Sequence, residues 1–140
     1  MNEPNLLSLV FLEKRPRAAA ALLEDFSPED CAQFLRDIPL EVLVPVIDGM
    51  ASWPAARTLS LLPVDVTADV LRDLPDAEAE TLLRLMDSDQ RNAVMAHMPA
   101  ATAQGFANKL AYPISSVGAW MDTAVPRFTL DSSVDHCLDL

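Results

Sequence analysis

Residues 64–73, VDVTADVLRD, place Asp65, Asp69 and Asp73 four apart, and Asp76 follows just past Pro75. A spacing of four stacks side chains on one face of an α-helix, so three carboxylates share a single stripe. Like charges at that spacing cost roughly 0.2–0.5 kcal/mol per pair, and Arg72, three residues after Asp69, offsets part of this. Two readings fit the stripe. It can be a solvated outer face, with Asp65 favoured by the positive amino-terminal end of its helix. It can also be a surface for a hard divalent cation. Magnesium keeps several waters and takes one or two carboxylates from each side, so an acidic face opposite a second acidic domain can be bridged by hydrated ions without a closed cage. Asp69, Asp65, Asp73 and Asp76 are therefore the candidate metal residues.

Other chemistry finds little support. His97 and His136 have no second histidine or cysteine at ligand spacing, so no zinc site is expected. The two cysteines, Cys31 and Cys137, lie far apart without a CxxC pattern, as expected of reduced thiols. There is no glycine-rich phosphate loop and no G-x-S-x-G, and no catalytic or cofactor-binding residue is assigned; the chain reads as a non-enzyme. Twenty-one acids against ten bases give a net charge of −11, which repels phosphate backbones and anionic lipid and favours cations or a basic surface. Nucleic acid is not an expected partner. Lys14, Arg15 and Arg17 form one basic cluster, read as a solvated turn or as a contact for an anionic partner. With 51% apolar residues, the chain can bury a real core and is expected to be folded and soluble. Its longest apolar run, residues 6–12, is too short to span a bilayer, and no signal-peptide cleavage pattern follows it.

A repeat must position these residues. Only 3 glycines but 11 prolines punctuate 140 residues. On marks set twelve residues apart from residue 3 to residue 99, a proline falls on the mark or one place after it at Pro4, Pro16, Pro28, Pro39, Pro63, Pro75 and Pro99. The two remaining units offer Ser52 and Ser88. Proline suits a first helical turn because its missing N–H would be unpaired there, and serine can cap exposed amides. Seven, eight and eleven residues past the marks run apolar columns, as in Val46, Ile47 and Met50, then Val70, Leu71 and Leu74. Those offsets form one helical stripe, ended by the next proline or serine. Met50, Met86, Met95 and Met98 stand in these columns and read as packing residues. Trp53, in a first turn beside Pro54, is expected to cover the array's flank. Helices of nine or ten residues are marginal alone, so each unit must lean on its neighbours. The fold class is all-α: a right-handed superhelical solenoid of about nine short helices over residues 1–111.

The ruler fails after Leu110. Residues 112–140 hold an extended-looking AVPRFTLD and then SSVDHCLDL, which reads as a capped helix start. One strand and one helix cannot bury themselves, so this segment reads as the opening of a second domain.

The proline-punctuated short-helix array, followed by Tyr112-Pro113, Ser116-Val117-Gly118 and Met121, resembles the cytosolic amino-terminal domain of the MgtE family of magnesium transporters. Val125, Phe128, Leu130, Val134 and Leu138 resemble a first CBS strand and helix. The resemblance implies an array that leads into a CBS pair and a membrane pore, in a bacterial protein tethered to the inner membrane. It implies regulation by magnesium, bound weakly and with the CBS region contributing: acids on the array and on the CBS domains repel at low magnesium, and bridging ions dock them at high magnesium and favour a closed pore. Asp69 matches an acidic position that similar proteins use. The last unit, residues 99–111, has no acid where similar proteins commonly place carboxylates, and Ile114-Ser115 replaces acids often found after Tyr-Pro. The implied partners are the CBS domains and pore, with a homodimer through the CBS region. Flagellar motor switch proteins carry similar arrays, so the alternative is an adaptor that binds a protein partner and ignores magnesium.

Overall fold

The computed structural model describes residues 6–113. Among them stand nine α-helices and no strand: α1 (Leu6–Lys14), α2 (Pro16–Leu23), α3 (Pro28–Leu35), α4 (Leu40–Gly49), α5 (Ser52–Leu61), α6 (Val64–Asp73), α7 (Asp76–Leu85), α8 (Ser88–Ala96) and α9 (Ala100–Leu110). The expected solenoid of short helices is present, and no helix runs through Pro63 or Pro75. The CBS-like strand and helix, with His136 and Cys137, lie outside the described residues.

Proline punctuates in two ways. Pro16 and Pro28 are the first helical residues, where their absent N–H costs nothing. Pro39, Pro63, Pro75 and Pro99 instead stand one residue before the helix, with φ of −53° to −56° and ψ of 138° to 142°. Their carbonyls already accept the first helical bonds, from Leu43, Thr67, Ala79 and Ala103. The expected serine caps are corrected. Ser52 and Ser88 are first helical residues, one place too late to cap. The Asp87 carboxylate caps α8 by accepting the Gln90 N–H at 3.0 Å. At α5 the Ala51 N–H, just ahead of the helix, donates across the stack to Glu24 Oε1 at 2.6 Å.

Each helix packs mainly on the helix two places along the chain, which gives two rows: α2, α4, α6 and α8 in one, α3, α5, α7 and α9 in the other. Helix α1 closes the amino-terminal end against α2 and α4. The apolar columns meet between the rows in one continuous core, with Val46, Ile47, Val70, Leu71, Leu82 and Leu83 fully buried. Towards α1 the same columns include exposed residues, Val10, Phe11, Leu22 and Phe26. Met95 is only half-buried, and Trp53, expected to cover the flank, is itself exposed.

A recurring hydrogen bond ties successive units. The side chain at the same repeat position in three units reaches a carbonyl eight residues back: Cys31 Sγ to Leu23 O at 3.0 Å, Thr67 Oγ1 to Leu59 O at 2.9 Å, and Arg91 Nη1 to Leu83 O at 3.4 Å. Leu23 O and Leu59 O also accept turn N–H groups from Phe26 and Leu62, so at these helix ends the side chain adds a second donor to the carbonyl. Cys31 thus has a structural task; burial first, and the Asp30 charge second, push its thiol pKa up.

One glycine is required by close approach. A Cβ on Gly49, at the end of α4, would stand 3.3 Å from both Ala20 Cβ and Arg17 Cα of α2. Backbone cannot move aside as a flexible side chain can. Gly49→Val should therefore destabilise by about 2 kcal/mol, read as a lower urea midpoint with an unchanged slope. A loss below about 0.5 kcal/mol would show that the α2–α4 spacing is slack.

Candidate metal-facing surface

Helix α6 owes its form to Pro63 before it and to Val70 and Leu71 on its buried side, fully enclosed between the rows. With that side fixed, Asp65, Asp69 and Asp73 point outward, spaced about 6 Å apart along the axis by the helical rise. Asp65 lies in the first turn, where the helix dipole favours an anion.

Arg72 organises the rest of the stripe. Its Nη1 meets Asp69 Oδ1 at 2.9 Å, and its Nε donates to Asp73 Oδ1 at 3.2 Å. One guanidinium thus serves two carboxylates, and all three side chains remain near half exposed. Sequence spacing points to the Asp69 pairing; the shared arrangement depends on how the arginine folds back. At this exposure each pairing is worth at most about 1 kcal/mol, so water or a cation can compete for the acids.

Asp76 belongs elsewhere. It begins α7, and its Oδ2 lies 3.3 Å from Lys109 Nζ on α9; the lysine is 15% exposed and the aspartate 80%. The structure therefore brings Asp65, Asp69 and Asp73 together on α6 and sets Asp76 on the other row. Among the described residues, no three His, Cys, Asp or Glu groups converge to hold a metal ion. Any ion on this face would be held by one or two carboxylates and its own waters, and a partner surface would complete the set. Hard carboxylate oxygens fit magnesium in that outer-sphere role.

A pattern missed from sequence becomes visible once the rows are known. The second residue of each helix in the α2 row reads Arg17, Glu41, Asp65 and Asp89, and all four are exposed. Helices α4, α6 and α8 pack in succession, and each carries an exposed acid as its second residue. The twelve-residue ruler already holds this signal at every second mark, and the alternation of rows assigns those marks to one row. Helix dipoles account for part of it, since an acid near an amino terminus is stabilised by about 0.3–1 kcal/mol.

A family model describing the MgtE intracellular N domain matches residues 7–99, from α1 to the proline before α9. The chain belongs to that family. No curated protein and no solved structure matches the chain. The MgtE N domain is the cytosolic part of MgtE-like magnesium transporters. Among the described residues no helix is long and apolar enough to cross a membrane. Helix α9 lies beyond the matched residues yet continues the N-domain stack by packing on α7 and α8.

Proposed function

We propose that this N domain is a non-catalytic regulatory domain that senses magnesium and biases the gate of an MgtE-like transporter. The observation that carries the reading is the outward α6 face, where Asp69 and Asp73 share one half-exposed arginine and Asp65 stands at the helix start. Raising magnesium would place hydrated ions against Asp65, Asp69 and Asp73, offset their mutual repulsion, and let the domain dock on a second acidic surface such as a CBS pair. Asp76, paired with Lys109, would contribute through its outer oxygen. The CBS domains and pore of a longer protein tethered to the inner membrane are the proposed partners, with a homodimer formed through the CBS region. Nucleic acid is not among them, given the net charge of −11.

A second reading has its own support. Three of the four candidate carboxylates already have a basic partner, which suits an adaptor that binds a protein and ignores magnesium.

The two separate in a melting experiment. With magnesium at about ten times a millimolar Kd, and a monovalent control matched for ionic strength, the sensor reading expects about 1 kcal/mol of added stability. The gain should disappear in Asp69→Asn/Asp73→Asn. Equal melting in both salts, for this chain and for one extended through a CBS pair, would leave the adaptor.

A further inference from the structure

Helix α1 is apolar on both sides. Leu9 and Leu12 face the stack, while Leu6, Leu7, Val10 and Phe11 face outward, Leu6 at 74% and Leu7 at 76% exposure. A helix face left uncovered in a helical array is ordinarily polar. Here the outer face keeps the apolar residues of the interior columns. Lys14 ends the helix and Arg15 and Arg17 follow, all exposed; the acids beside them are Glu13, whose Oε1 lies 3.9 Å from Lys14 Nζ, and Asp48, which precedes the Gly49 that packs on Arg17.

We infer that the outer face of α1, with Lys14, Arg15 and Arg17, docks on an anionic lipid surface and lies in its interface without spanning it. Three observations favour lipid over a protein occupant. The face is a ridge one helix wide, and its four side chains offer a few hundred Å². A stable protein interface needs about 800 Å² on each partner. Lipid requires no matching groove, and an apolar face beside basic residues is the pattern of interfacial helices. The charge also fits locally. The net −11 of the chain would repel anionic lipid, but screening over about 8 Å weights the nearest charges, Lys14, Arg15 and Arg17 against Glu13 and Asp48, above the rest. Docking there would hold the amino-terminal end of the stack at the membrane and leave the α6 face free to move.

Cosedimentation of the full chain tests this, using vesicles of phosphatidylglycerol and phosphatidylcholine mixed roughly one to two, against phosphatidylcholine alone. Binding is expected to the anionic vesicles only, weakening as salt rises. Leu6→Ser/Leu7→Ser should lower the partition coefficient at least about 10-fold. Lys14→Gln/Arg15→Gln/Arg17→Gln should lower it roughly 100-fold, at about fivefold per charge. Both variants alter exposed positions, so their circular dichroism and melting should match the parent. Equal binding to neutral and anionic vesicles, or binding that neither variant weakens, would overturn the inference. So would a dimer in sedimentation velocity that Leu6→Ser/Leu7→Ser dissolves, because the face would then belong to a second copy.

Discussion

Leu71→Ala is expected to lower unfolding stability by about 3 kcal/mol and the melting temperature by more than about 10 °C. Leu71 is fully buried in α6, which packs on α4 and α8 in its own row and on α5 and α7 across the core. Removing its branched end leaves a cavity that the stack cannot close. Each neighbouring helix is held by the next one along, so collapse onto the gap would strain several units together. A further effect comes from the architecture. Nearest-neighbour contacts carry the stability of an array, so a weak link in the middle uncouples its two halves. Urea unfolding followed by circular dichroism should show a shallower slope as well as a lower midpoint. Leu61→Ala, at an exposed position on α5, is the control and should cost less than about 0.5 kcal/mol. Equal losses at the two positions would mean that the apolar columns are not the core.

Arg84→Met is expected to cost about 2–3 kcal/mol, concentrated at the carboxy-terminal end of the stack. Arg84 Nη2 lies 2.7 Å from Glu80 Oε1 and donates to the Lys109 carbonyl at 2.9 Å; its Nε also donates to Glu80, at 3.1 Å. The two side chains are only 16% and 13% exposed, so methionine would leave Glu80 largely out of water without its partner. It would also remove the Arg84 bond to the Lys109 carbonyl, which would keep only the Tyr112 N–H at 3.2 Å. Amide exchange in α9 should accelerate well beyond that in α4 to α6. A double-mutant cycle makes the cause explicit. Glu80→Gln/Arg84→Met should recover at least half of the loss, because the stranded charge is gone. If the double variant is as unstable as Arg84→Met alone, the α9 carbonyl is the dominant partner and the carboxylate matters little.

Much of this molecule was legible in its residues. The columns at Val70, Leu71 and Leu74, closed by Pro75, set both the length of α6 and its buried side, and the aspartates between them had to face outward. The same reasoning misassigned Ser52 and Ser88. A cap requires the residue just before the helix to be extended, and Asp87 holds that place at α8. The acid shared by α4, α6 and α8 was also missed, since Glu41, Asp65 and Asp89 lie two repeats apart and fall into one row only when every second helix packs together.

By itself, the sequence determined where each helix starts, where it ends and which stripe it buries, because proline geometry and apolar spacing act within a dozen residues. Tertiary structure alone decided which helices stack and which charges meet. Arg84 reaches the α9 carbonyl, Lys109 reaches Asp76, and α2 approaches α4 closely enough to require Gly49. Each is a contact between units, fixed by how neighbouring helices settle against one another in space, and a local pattern carries no record of that distance.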